Sequence, residues 1–414
     1  MAELKKTVHV MRRAFPDKWG GTESVVFNVA RELARQGVES VVFCTAMFSA
    51  PGDEVLDGIP VKRFRYVFPW FGLSAEAKGQ LRLKGGSPLS LPLFFGLLRE
   101  KNLSLIHVHV QHRLGGMVRT AARLKGIPYV VSIHGGCFTV PAEQNRQMMA
   151  PFKGKLEWGR AFGLLLGARR VLKDADAIIC VGENERAEVQ RRFPGKSVLY
   201  VPNGVDIPRF AGADATLFRE AFGFQSTEKI VLCVARIDYQ KNQLGLVRAF
   251  ARFAQHHPDH RLVLIGPVTV EAYRDEVVAE VERLDLAGRV KLIEGLSPGD
   301  PLLPSAYAAA EQFVLPSHHE PFGIAVLEAW AAGIPVTACR VGGIPGFAEH
   351  EENILLAEPG DEPVLADCMG RLADDEALRG RLSANAFTEV SAKYSWSVAA
   401  DSIRSVYESV MRNK

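Results

Sequence analysis

Short apolar runs alternate along this chain with longer stretches whose apolar residues recur every three or four positions. "TVHVMR" (7–12) reads as a strand. "TESVVFNVARELARQG" (22–37) follows, with Val25, Val26, Val29, Leu33 and Ala34 at helical spacing and Gly37 as the stop. The same reading places strands at 39–45, 103–110, 128–135, 176–182 and 196–204, and helices over 114–125 and 155–173. The series then restarts. Strands at 229–236, 261–266, 289–295, 311–317 and 334–340 alternate with helices at 243–256, 271–285, 301–310 and 322–332. The strands are near-continuous Val, Ile and Leu, which predicts parallel sheets covered on both faces. Two successive series predict an α/β chain of two Rossmann-like domains joined near 203–212. Ligands of such sheets bind beyond the carboxyl ends of the strands, so the loops that follow strands are where chemistry is expected.

Four of those loops are informative. "FPDKWGGTES" puts Gly20 and Gly21 ahead of a helix that Thr22 can cap, and such a pair lets a phosphate approach free N–H groups. A plain turn fits as well, and the missing G-x-G-x-x-G counts against a dinucleotide dehydrogenase. "IHGG" places His134 at a strand end, either to bond a sugar hydroxyl or an acyl oxygen or as a structural histidine. "VARIDYQKNQ" puts Arg236 and Lys241 on one strand-to-helix loop, a pair suited to a diphosphate or simply two surface cations. "HHEPFGIAVLEAWAAGIPV" sets Glu320 and Glu328 eight positions apart. On one helix they would stand about 12 Å apart along the axis and about 80° around it. Cooperating glycosidase carboxyls lie about 5–9.5 Å apart, so these two are not such a pair. Glu320 precedes Pro321 in the loop, Gly323 opens the helix, and Glu328 lies a turn and a half inside an apolar stretch. The free amides between them suit a diphosphate, so the two glutamates are expected to grip the ends of a nucleotide-sugar.

Composition narrows the class. The 414 residues are 47% hydrophobic and 23% charged, a globular balance with room for two or three domains. No apolar run reaches the roughly 18 residues that span a bilayer, and "MAELKKTVHVMRR" lacks a signal-peptide core, so a cytoplasmic protein is expected. Six scattered cysteines in apolar runs read as buried, reduced thiols. The net charge of +3 hides a split: residues 1–200 carry 30 Lys and Arg against 17 Asp and Glu, and residues 201–414 carry 20 against 30. Stretches 64–101 and 146–173 add aromatics, leucines and the cations Lys78, Arg82, Lys84, Lys153, Lys155, Arg160, Arg169, Arg170 and Lys173. That pattern suits either a peripheral contact with an anionic membrane at the inner face or an ordinary helical insertion. For metals, Asp174 and Asp176 read as a cap and turn, and His107, His109 and His112 as an interdomain lining more than a ligand trio. No H-E-x-x-H is present, so no metal is expected and activity should survive EDTA.

The residues together resemble family-4 retaining glycosyltransferases of the GT-B fold. "HHEPFGIAVLEAWAAGIPV" matches that family's E-x7-E signature, "VPNGVD" (201–206) its linker, and "VARIDYQKN" its Arg/Lys loop. "YSWSVAADSIRSVYESV" is similar to its returning C-terminal helix. The resemblance implies a first, acceptor domain over 1–202, a donor domain over 203–390, and a helix over 391–414 that packs back on the first. It implies that Glu320, with the amides of Phe322, Gly323 and Ile324, holds the donor sugar, and that Glu328 holds the ribose. Arg236 and Lys241 would neutralise the departing diphosphate, Gly20 and Gly21 would serve the distal phosphate, and His134 would stand beside the anomeric centre. Pro321, Ala235 and Asn242 depart from glycines usual in the family. The implied activity is transfer of a hexosyl-type unit from a nucleotide-diphosphate sugar to a carbohydrate or lipid-linked acceptor, with no cofactor, no nucleic acid and an alternative as a sugar-nucleotide epimerase or a non-catalytic nucleotide-sugar-binding subunit.

Overall fold

The computed structural model describes residues 3–15, 20–83, 86–135, 152, 154–296 and 299–414. Contacts divide the chain into two compact units, Met1–Pro202 with Trp396–Lys414, and Asn203–Ser395.

The first unit holds strands β1 (Lys6–Val10), β2 (Glu39–Thr45), β3 (Gly52–Leu56), β4 (Ile59–Phe64), β5 (Leu105–Val108), β6 (Tyr129–Ile133), β7 (Ala177–Cys180) and β8 (Val198–Tyr200). Their order in one sheet is β3-β4-β2-β1-β5-β6-β7-β8. Every pairing is parallel except β3 with β4. Val8, Val10, Ile106, Val108, Val131 and Ile178 are fully buried, as continuous apolar strands under helices on both faces require. The C-terminal helix Trp396–Arg412 belongs to this unit and packs on the helix Gly21–Arg35, burying Ala399, Ala400, Ile403, Val406, Tyr407 and Val410 along one stripe.

The second unit carries β9 (Lys229–Val234), β10 (His260–Ile265), β11 (Val290–Ile293), β12 (Ala310–Leu315), β13 (Val336–Cys339) and β14 (Leu355–Ala357), all parallel, in the order β11-β10-β9-β12-β13-β14. The strand order reverses between β9 and β12, so the loops leaving both strands meet at one rim.

Three differences from the sequence reading have physical causes. The β3–β4 hairpin turns on Asp57 and Gly58, both at positive φ, an Asp-Gly turn signal the periodicity search passed over. The expected helix over 155–173 is instead two short pieces, Arg160–Leu165 and Val171–Asp174. Gly159, Gly163 and Gly167 lie in that stretch and weaken any continuous helix. Finally His112 does not join His107 and His109: it is exposed, at φ 60, and starts the helix His112–Lys125.

Candidate functional site

Beyond the ends of β9 and β12 the second unit brings together the loops 235–242 and 316–323. His318 N donates to Gln240 O at 2.9 Å and Asn242 Nδ2 to Pro316 O at 3.3 Å, so the two loops are stitched side by side. Asn242 sits at φ 53 and caps the helix Gln243–Phe253 by accepting from Gly245 N. Asparagine tolerates this left-handed conformation well, which explains how it stands where glycine is usual.

Lys241 reaches across the seam to Glu320 at 2.5 Å, and each side chain is only 11% exposed. Arg236 is half-exposed and pairs with the buried Asp238 at 2.7 Å, with a second bond to Gln240. Thr269 Oγ1 and the loop's own backbone hold Asp238 in turn. Both cations thus stand on one loop, each with a carboxylate partner, and an incoming anion would exchange with or join those partners.

Next comes the start of the helix Ile324–Ala331, with Gly323 as its N-cap at φ 109. The backbone N–H groups of Phe322, Gly323 and Ile324 find no partner among the described residues, as the first turn of a helix leaves them. The loop before it is held by the next one: Gly343 N donates to Glu320 O at 2.9 Å. Gly342 has φ 56, and a Cβ there would lie 1.8 Å from Glu320 O, so only glycine lets the two backbones touch.

Glu328 lies inside that helix. Its carboxylate accepts a hydrogen bond from Tyr307 Oη at 2.7 Å, from the fully buried side chain on the helix Leu302–Ala309. Burial pushes the Glu328 carboxyl up to about 7, opposed by the Tyr307 hydrogen bond and by the charge of Arg209. The residue as a whole is half-buried, and its carboxylate end turns inward onto the fully buried Tyr307.

The remaining expected residues belong to the first unit. Gly20 is the N-cap of the helix Gly21–Arg35, and its N–H is taken by Glu23 Oε2 at 3.1 Å, with Arg13 beside the same carboxylate. His134 ends β6. Its Nε2 meets His109 Nδ1 at 2.9 Å, His109 Nε2 meets His9 Nδ1 at 3.2 Å, and burial pushes His134 down to about 4. His107 bonds Tyr407 Oη at 2.6 Å and Ser132 Oγ at 2.7 Å.

His9, His107 and His109 offer nitrogens within 4.8 Å of one another, the spacing of a metal cluster. They do not fit a metal. Both nitrogens of His107 are committed to Tyr407 and Ser132, the remaining pair bond each other, and among the described residues no carboxylate joins the cluster to balance a divalent charge. The Asp174–Asp176 pair is likewise structural: Asp174 takes Arg119 and Arg170, and Asp176 accepts Tyr129 N. Cys44, Cys180, Cys233, Cys339 and Cys368 are buried and form no disulfide among the described residues; Cys137, Met148, Met149, Lys84 and Lys153 lie outside those residues.

Sequence reasoning missed Tyr307, Asp238 and Gly342. Asp238 stands in the quoted loop, where its spacing from Arg236 was a usable signal; Tyr307 lies 21 residues from its partner and gave none.

Comparison with known proteins adds a family frame. Residues 20–204 match the glycosyl transferase 4-like domain and residues 214–389 the glycosyl transferases group 1 model. The chain is 28% identical over 400 residues to the D-inositol 3-phosphate glycosyltransferase of Corynebacterium diphtheriae, covering 94% of this chain and 89% of that one. It is 29% identical over 409 residues to the enzyme of the same name from Corynebacterium jeikeium, covering 94% and 91%. In structure it is similar to HepE of Anabaena, solved with UDP and glucose, at TM-score 0.73 and 19% identity over 98% and 99% of the two chains. It is also similar to the sucrose-phosphate synthase of Thermosynechococcus elongatus, at 0.74 and 22% over 99% and 100%.

Proposed function

Because this chain belongs to the GT-B glycosyltransferases, with a glycosyl transferase 4-like half and a group 1 half, we propose that it transfers a hexosyl-type unit from a nucleotide-diphosphate sugar to an acceptor hydroxyl with retention. The observation that carries the reading is the grouping in one unit of the Lys241–Glu320 pair, Arg236, the unpartnered amides of 322–324 and the enclosed Glu328.

The chemistry follows from where charge develops. Cleavage of the glycosyl–phosphate bond builds positive charge at the anomeric carbon and negative charge on the departing diphosphate. Lys241, Arg236 and the helix-start amides are preorganised donors for that negative charge, and they stabilise it without having to reorient. Glu320 then exchanges its Lys241 contact for sugar hydroxyls, while Glu328 accepts from the ribose. No nucleophilic carboxylate is needed when the leaving phosphate takes the acceptor's proton on the same face.

Two kinds of acceptor fit. The two Corynebacterium relatives are named for D-inositol 3-phosphate, and an analogous small phosphorylated acceptor would suit a basic first unit. That unit also exposes Leu156, Phe162, Leu164 and Leu165 beside the exposed Arg160, Arg169 and Arg170, which supports a lipid-linked acceptor at an anionic surface. No helix among the described residues is long and apolar enough to cross a membrane. The deciding experiment is thermal shift against UDP, GDP, ADP and dTDP, followed by a donor panel read by nucleotide release. Absence of stabilisation by any of the four, with no release from any donor, overturns the reading.

A further inference from the structure

The segments that follow β4, β5 and β6 enclose a cavity of about 310 Å³ in the first unit. Trp70, Arg113, Glu157, Arg160, Leu164 and Arg169 line it. Arg113 is the second residue of the helix that follows β5, so the cavity lies at the carboxyl rim of the parallel sheet, the side where such sheets take ligands. One wall is fixed. Phe71 N donates to Leu156 O at 3.0 Å and Gly159 N to Pro69 O at 3.2 Å, which holds segment 156–159 against segment 69–71. Arg113 is only 5% exposed. Its guanidinium lies 4.6 Å from the Trp70 ring centre, its Nε donates to Gly159 O at 3.3 Å, and its Nη2 pairs with Glu157. Phe152 stacks on Trp70 at 4.3 Å.

Charge decides what this cavity takes. Among the described lining residues Glu157 is the one carboxylate, and Arg113 already neutralises it. Arg160 and Arg169 have no hydrogen bond or ion pair among the described residues, whereas Arg170, one position on, is held by Asp174 at 3.1 Å. Three guanidinium charges therefore stand against one carboxylate, a surplus of two. Each spare guanidinium offers a fork of N–H donors, the geometry that recognises phosphate oxygens bidentately. A phosphomonoester carries close to two negative charges near neutral pH and balances the surplus, where a carboxylate would only halve it. The volume also admits the polyol, sugar or glycerol that bears the phosphate.

We propose that this cavity is a phosphomonoester site in which Arg160 and Arg169 bind the phosphoryl oxygens and Arg113 fixes the wall. Binding stands on the first unit alone. That the bound phosphate belongs to the acceptor, and so sets the acceptor class, rests on the transfer reading above. Two sources offer the same group. One is a soluble polyol or sugar phosphate. The other is a lipid headgroup, for which Leu164 in the lining and the exposed Phe162 and Leu165 on the same short helix supply apolar neighbours.

The test is calorimetric titration of the full chain with glycerol 3-phosphate, with glycerol as the uncharged control, beside co-sedimentation with phosphatidylcholine vesicles with and without phosphatidic acid. Binding of glycerol 3-phosphate and not glycerol supports the site with a soluble source; capture by the phosphatidic acid vesicles alone supports it with a lipid source. Arg160→Gln and Arg169→Gln should each weaken that binding about tenfold, the scale of one charge-assisted hydrogen bond. Both residues are exposed, so neither change threatens the fold. Arg169→Lys should recover only part, because an ammonium does not bond bidentately. Arg170→Gln, outside the lining, should leave binding unchanged. Binding of neither phosphate form, or an equal loss in Arg170→Gln and Arg169→Gln, overturns the proposal. Thermal shift with a nucleoside diphosphate on the same protein separates the two failures. A nucleotide shift without phosphate binding removes this site and leaves the transfer reading. Arginine-dependent phosphate binding without any nucleotide shift keeps the site and removes its use in transfer.

Discussion

Tyr307→Phe removes one oxygen that stands 2.7 Å from the Glu328 carboxylate in a buried setting. A hydrogen bond to a charged group is worth about 1.5–3 kcal/mol, and one pKa unit is about 1.4 kcal/mol, so the loss raises Glu328 by about one unit or more. Glu328 already stands at about 7, raised first by burial. Near neutral pH the wild-type carboxyl is therefore about half ionised, and in the variant about one-tenth. Ribose hydroxyls donate to the ionised form. Nucleotide affinity should accordingly climb with pH and level off above about 7 in wild type, and above about 8 in Tyr307→Phe, which would bind about fivefold more weakly at pH 7. Calorimetric titration of the best-binding nucleoside diphosphate from pH 6 to 9 checks this. Glu328→Gln serves as the control for titration of the phosphate itself. The unliganded protein gives a second readout. Between the ordinary glutamate value and about 7 the folded state holds a proton that the unfolded state has released, so stability falls as pH rises through that window, by at most about 3 kcal/mol. Glu328→Gln should flatten that slope. Identical pH profiles for wild type and Tyr307→Phe would refute the coupling.

Lys241→Ala should lower turnover by about a hundredfold or more, the scale of a lost preorganised donor. It should also destabilise, by about 3 kcal/mol or more, because Glu320 is left buried and unpaired. Adding Glu320→Gln should recover the stability and not the turnover, and recovery of both would contradict the assigned role. Gly342→Ala should lower the melting temperature by several degrees and weaken donor binding, because its Cβ would overlap Glu320 O; an unchanged melting curve would show that the 316–323 loop is not held this way. Nucleotide release should be unaffected by EDTA, and restoration by one added divalent ion after chelation would reverse the reading of the histidine cluster.

The sequence by itself determined the two α/β series, the run of buried parallel strands and the short list of loops that carry chemistry. These rest on local properties: the period of apolar residues, and Gly, Pro and charge just after strands. The chain's period correctly put Gly323 at a helix start and Glu328 within it. It misread 155–173, where the apolar residues kept a helical look and the glycines broke it. Only tertiary structure decided who meets whom. Lys241 and Glu320 are 79 residues apart, Tyr307 and Glu328 come from different helices, and His9 on β1 meets His109, just past the neighbouring β5 and 100 residues on. Such partners are chosen by strand order and register, which no local pattern encodes. The raised pKa of Glu328 and the lowered pKa values of the clustered histidines follow from burial, and burial exists only once the sheets are covered.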